Sequence, residues 1–176
     1  SACYKLLGVK KGSVVDFRKL IGFGKLNGYD FTPRSYLDER AEPTLRTIGD
    51  YYLAFLGWLH QKMYDSVIAA YREFPPPPSY QIAGVWSRQG VERFLSKYEN
   101  WKREEELIDF TDMLEQVLSR ELSPNPEVIC LDETNDLTKL MWEIIDLWSR
   151  SASRVYLAGD IDQCLYGWSG SVPELY

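Results

Sequence analysis

Two adjacent acids, Asp132-Glu133, close the apolar run Val128-Ile-Cys-Leu131. A second acidic segment, Gly159-Asp-Ile-Asp-Gln163, closes Val155-Tyr-Leu-Ala158. A short unbroken apolar run bounded by turn signals predicts a fully buried strand of the kind found in parallel sheets. Ligands of open parallel sheets bind just beyond the carboxyl ends of the strands. Two carboxylates at that place suit a magnesium-bound nucleotide, one to hold the metal and the next to handle an attacking water. The same two acids could instead cap the helix that follows them.

The elements that must position these groups come next. Residues 137–148 read as a helix with Leu140, Met141, Ile144, Ile145 and Leu147 inward. Strand, helix and strand over 128–158 then form a right-handed crossover of a parallel sheet, so both acidic segments fall on one sheet edge. Upstream, residues 104–120 are helical by pattern, with Leu107, Phe110, Leu114, Val117 and Leu118 inward, and Pro124 and Pro126 break the chain before the first strand. Residues 86–98 form another amphipathic helix, with Val91, Phe94, Leu95 and Tyr98 on one side. A longer helix is predicted over 44–73, where Leu45, Ile48, Tyr52, Phe55, Leu59, Met63, Ile68 and Tyr71 recur at helical spacing. That stripe reads as core rather than as a stacking surface for bases. Pro75 to Pro78 reads as a stiff elbow, with a proline-recognising partner as the other reading. Near the start, Ser1 to Leu7 predicts a helical turn ended by Gly8. Ser13 and Asp16 have the form of a capping box for a short helix to Leu20, and Gly22, Gly24 and Gly28 read as loop.

Composition narrows the function classes. Hydrophobic residues are 45% and charged residues 26% of the 176, as in a soluble globular chain, with no apolar run of membrane-spanning length and no signal-peptide pattern. The three cysteines, Cys3, Cys130 and Cys164, lack zinc-like spacing and read as reduced thiols of a cytoplasmic protein. The single histidine, His60, has no Cys or His at ligand spacing and is expected in a hydrogen-bonded or exposed role. Net charge is −6, but residues 1–46 carry nine Lys/Arg against five Asp/Glu, a local basic excess. Gly24-Lys25 is not a phosphate-binding loop, which needs Gly, four residues, then Gly-Lys-Ser/Thr; Lys19 and Leu26 stand at the deciding positions.

Residues 107–176 resemble the central motifs of a superfamily-one DNA helicase of the UvrD/Rep type. Ile108-Asp-Phe-Thr-Asp-Met-Leu114 resembles the segment that precedes motif two. Leu131-Asp-Glu-Thr-Asn-Asp-Leu137 resembles motif two itself. Gly159-Asp-Ile-Asp-Gln-Cys-Leu-Tyr-Gly-Trp-Ser-Gly170 resembles motif three, which is long and specific. Ser1 to Leu7 resembles the residues just after the family's Thr-x-His motif.

The resemblance implies an α/β, mostly helical chain: a helical insertion subdomain plus a partial parallel-sheet, P-loop-NTPase-type (RecA-like) core without its P-loop. Residues 1–8 would be a remnant of the core, 9–105 the helical insertion, and 106–176 the returning core with motifs two and three. It implies ATP and Mg2+ as cofactors, with Asp132 holding the metal, Glu133 activating the attacking water and Gln163 reaching the γ-phosphate. It implies single-stranded and duplex DNA as partners, with Tyr166 and Trp168 toward the DNA and Trp168 stacking on a base, and the remainder of the motor as a further partner. The activity implied for the complete protein is ATP-dependent translocation and unwinding, in repair or replication, while the 176 residues alone are expected to be inactive. A non-catalytic binding module and the motor of a helicase–nuclease are the alternatives. Two positions depart from the family pattern. Thr134-Asn135 replaces Ala/Phe-Gln, and the shorter amide is expected to lose its contact or bridge it by water. Ser169 replaces an Arg.

Overall fold

The structure is a computed structural model that describes residues 2–32, 47–75 and 83–160. The described residues are mostly helical with a small two-stranded parallel sheet. The helices are α1 (Ala2–Leu7), α2 (Phe17–Asn27), α3 (Ile48–Gln61), α4 (Val67–Glu73), α5 (Arg88–Glu104), α6 (Phe110–Ser119) and α7 (Lys139–Ser149), and the strands are β1 (Val128–Leu131) and β2 (Arg154–Leu157). The chain forms two compact units. The first comprises Ser1–Val14, Gly57–Asp65 and Ile108–Tyr176, and the second Val15–Leu56 and Ser66–Leu107. The helical insertion expected over 9–105 is unbroken, whereas the second unit leaves 57–65 with the first.

The first unit carries the acids. Its core is Cys3, Leu114, Val117, Leu140 and Ile144, with Leu7, Met63, Leu118, Leu122, Met141 and Trp148 packed around them. These are the inward positions of α1, α6 and α7, so three amphipathic faces close on one another. The predicted helix over 104–120 is interrupted. α5 stops at Glu104, Ile108 pairs with Val14 as an isolated parallel bridge, and α6 starts afresh. The restart is chemical: Asp109 accepts from the Asp112 N–H at 2.9 Å, and Asp112 accepts from the Asp109 N–H at 2.7 Å, a reciprocal capping box. Burial pushes the Cys3 thiol up from its ordinary pKa, as befits a core residue.

β1 and β2 are parallel, in the register Val128↔Arg154 to Leu131↔Leu157, with α7 as the connection. The expectation of fully buried strands does not hold. Only Ile129 of β1 is buried, and Val128, Val155, Tyr156 and Leu157 are exposed. Among the described residues each strand pairs only with the other, so each keeps an open edge and little covers its faces.

The second unit is organised by rings. Phe94 is fully buried, with Tyr29, Tyr52, Tyr98 and Phe23 at centroid distances of 5.0, 5.1, 5.8 and 5.9 Å. The Phe31 ring lies against both Gly24 and Gly49, where a Cβ would strike it at 2.9 Å. That contact accounts for Gly24, one of the three glycines read as loop. Gly22 and Gly24 lie inside α2, and only Gly28 ends it, in left-handed backbone at φ 77°. The cap of α2 is Asp16, whose side chain accepts from the Lys19 N–H at 2.9 Å, rather than Ser13, which closes a short 3-10 turn.

The long helix predicted over 44–73 is two helices. Met63 takes left-handed backbone after α3, and Ser66 caps α4 by accepting from the Ala69 N–H at 3.2 Å. Ile68, placed in the inward stripe, is exposed. Residues 44–46 of that prediction and Pro76 to Pro78 lie outside the described residues.

Candidate functional site

Asp132 and Glu133 follow β1 directly, on the same sheet edge as Ala158-Gly159-Asp160 after β2. Both acids are exposed. The Asp132 carboxylate accepts from the Glu133 N–H at 3.0 Å. The capping alternative fails for α7, because Thr138 takes that position and accepts from the Met141 N–H at 3.3 Å. The short 3-10 turn Thr134–Asp136 receives no side-chain cap from Glu133 either.

The backbone of Glu133 is left-handed, at φ 54°. Met63, Glu106, Glu121 and Asn125 share this conformation, but the first three sit just past a helix end, where it is an ordinary terminator, and Asn125 is of a residue type that tolerates it. Glu133 has no helix before it. A non-glycine residue at a strand-to-turn junction in this region costs about 1 kcal/mol or more, and such strain gathers at functional sites.

The two strand ends are fastened together by residues between the acids and α7. Thr134 and Asn135 are both 0% exposed. The Thr134 N–H and hydroxyl both donate to the Ala158 carbonyl at 3.0 Å. The Asp160 N–H donates to Asn135 Oδ1 at 3.0 Å, and Asn135 Nδ2 donates to the Asp136 carboxylate at 3.2 Å. The shorter amide, for which a lost or water-bridged contact is expected, bonds the Asp160 main chain directly. Position alone signals this residue, three places after the metal-holding candidate; its burial is not legible in the sequence.

One further cluster escapes the sequence reading. Gln61, buried at the end of α3, donates to the Thr111 hydroxyl at 3.2 Å and accepts from the Thr138 hydroxyl at 2.6 Å, tying α6 to the cap of α7. Beside it, His60 Nδ1 lies 2.5 Å from the Glu115 carboxylate, which is the hydrogen-bonded role expected of the single histidine.

Gln163, Tyr166, Trp168 and Ser169 lie outside the described residues. Among the described residues no group of three or more His, Cys, Asp and Glu side chains could hold a metal by itself. The exposed acid pair fits a magnesium ion that is bound through one or two carboxylates and otherwise by waters and phosphates. No helix of the described residues is long and apolar enough to cross a membrane.

A family model of the UvrD/REP helicase N-terminal domain matches residues 69–176. The chain belongs to that family. It is similar to an ATP-dependent helicase/nuclease of Carboxydothermus hydrogenoformans, at 30% identity over 93 residues, 49% of this chain and 8% of that protein. It is similar to a probable DNA helicase of Mycoplasma pneumoniae at 26% over 91 residues, covering 47% of this chain and 17% of the relative. The ATP-dependent DNA helicase UvrD2 of Mycobacterium tuberculosis is 26% identical over 123 residues, 63% of this chain and 16% of the relative. The matches thus span between 8% and 17% of these relatives' length.

Proposed function

We propose that this chain is part of the ATP-driven motor of a DNA helicase, which couples hydrolysis to movement on single-stranded DNA and to the opening of duplex. The observation that carries the reading is the place of Asp132 and Glu133. They are exposed acids at the carboxyl end of a parallel strand, not consumed as caps, in a chain of the UvrD/REP family. Residues 1–8 and 106–176 are read as a partial RecA-like core and 9–105 as its helical insertion. These 176 residues contain no Gly-x4-Gly-Lys-Ser/Thr segment, so they supply no phosphate cradle, and by themselves turn over no ATP.

Magnesium-bound ATP supplies the phosphoryl group and a cation that offsets its charge. Asp132 would hold that cation through water. Glu133 would orient the attacking water and accept its proton at the carboxylate. Gln163 would reach the γ-phosphate. Tyr166 and Trp168 would lie toward the DNA, where one stacked base is worth about 1–3 kcal/mol whatever its identity. Only five positions separate Gln163 from Trp168, a short route between nucleotide state and grip on DNA.

The test is ATP hydrolysis by the protein that carries this chain, with and without single-stranded DNA. Hydrolysis that the strand accelerates is expected. Hydrolysis indifferent to DNA contradicts the motor reading. The similarity to a helicase/nuclease favours one variant of it, a motor joined to a nuclease, which DNA cleavage by the same protein would reveal.

A further inference from the structure

We infer that Asn135 is a positioning residue of the acid site, and that its side-chain oxygen holds the end of β2 against the turn that carries Asp132 and Glu133. The inference rests on the hydrolytic reading of those two acids for its functional meaning, but its geometry is independent of that reading.

Asn135 belongs to the 3-10 turn that begins directly after Glu133, and its Oδ1 accepts from the Asp160 main chain at 3.0 Å. The bond therefore joins the ends of two strands rather than the ends of one turn. Its surroundings leave no slack. A Cβ placed on Gly159 would lie 2.5 Å from Thr134 Oγ1, 2.8 Å from Asn135 Oδ1 and 3.0 Å from Thr134 N. Glycine is thus what lets the β2 end approach closely enough for the amide to reach it. Two bonds from Thr134 to the Ala158 carbonyl hold the same approach one residue earlier.

Asn135 is one methylene shorter than the Gln of the family pattern. A glutamine oxygen would stand roughly 1.5 Å farther along the side chain. The separation between the acid turn and the Gly159–Asp160 main chain is therefore set by the asparagine's own length. A fully buried amide is costly unless bonded, so an apolar residue of similar size would be the simpler filler if packing were the only demand. The amide is retained where a fixed distance between two main-chain segments is needed.

The test is backbone amide exchange and chemical shift in the 176-residue chain, for the unsubstituted protein and Asn135→Ala. In Asn135→Ala the Asp160 amide is expected to exchange about tenfold faster, the loss of one hydrogen bond, while β1 and α7 amides keep their rates. An Asp160 amide unaffected by Asn135→Ala overturns the proposal. So does a uniform acceleration throughout the first unit, which is the mark of a merely structural residue. Should Asn135→Ala not fold, the scalar coupling between Asp160 N and Asn135 Cγ in the unsubstituted chain decides, its presence being expected and its absence overturning the bond. None of these measurements uses ATP, so failure here leaves the motor reading standing, and failure of the motor reading leaves the latch.

Discussion

Gly159→Ala is the sharpest structural perturbation of the strand-end junction. The added methyl meets Thr134 Oγ1 at 2.5 Å and Asn135 Oδ1 at 2.8 Å, where ordinary contact begins at 3.4 Å. One side must retreat by nearly 1 Å, and neither can do so cheaply, since both oxygens are engaged in hydrogen bonds. Forced overpacking of a filled site costs about 1–3 kcal/mol, and each bond lost adds about 0.5–1.5 kcal/mol. The stiffer unfolded chain returns about 0.4–1 kcal/mol. The net expectation is a loss of about 2 kcal/mol. Gly57→Ala is the matched control. Gly57 lies inside α3, belongs to the same unit, and a Cβ there meets nothing within 4 Å. It should gain about 1 kcal/mol from helix propensity alone. Urea unfolding of the two variants side by side measures both. If Gly159→Ala is as stable as the parent within about 0.5 kcal/mol, the close approach, and the reasoning built on it, is refuted.

Three other outcomes are expected. Phe94→Ala removes a fully buried ring from contact with Phe23, Tyr29, Tyr52 and Tyr98, and should cost the second unit about 3–5 kcal/mol in chemical denaturation. Burial pushes Tyr51, whose hydroxyl donates to the Pro75 carbonyl, up to about 12 from 10.0, and pushes Tyr29 and Tyr52 upward as well. A phenol with a raised folded pKa stabilises fully below its unfolded value. Stability of the second unit should therefore hold up to about pH 10 and fall between about 10 and 12, by about 3 kcal/mol from Tyr51 alone, as read by denaturant midpoints across that range. Glu133→Gly relieves left-handed backbone and should leave thermal stability unchanged or raise it by up to about 1 kcal/mol, while removing the carboxylate to which the proposed motor assigns water activation.

The fold is legible where pattern and local chemistry agree. The pair β1 and β2 with α7 between them is readable from two apolar runs around an amphipathic helix, and the structure has them parallel. Errors arise where a long-range contact decides the local state. Gly24 looks like a breaker until Phe31 is seen packed on it. The apolar stripe over 44–73 continues through Met63, so periodicity masks a break that Ser66 announces by its cap. Asp109 and Asp112 read as part of a motif, and their role as a reciprocal cap is hidden behind it. At the site, Asp132 and Glu133 can be picked out by type and position. The fastening by Thr134, Asn135 and Gly159 cannot, because it depends on burial and on which main-chain N–H lies opposite.

Glu133 carries the hydrolytic reading. The decisive measurement is steady-state ATP hydrolysis, in the presence of single-stranded DNA, by the protein that carries this chain and by its Glu133→Gln variant, with nucleotide binding measured in parallel. Loss of a group that activates the attacking water predicts a fall in kcat of about 100-fold or more with nucleotide still bound. An unchanged kcat in Glu133→Gln contradicts that role.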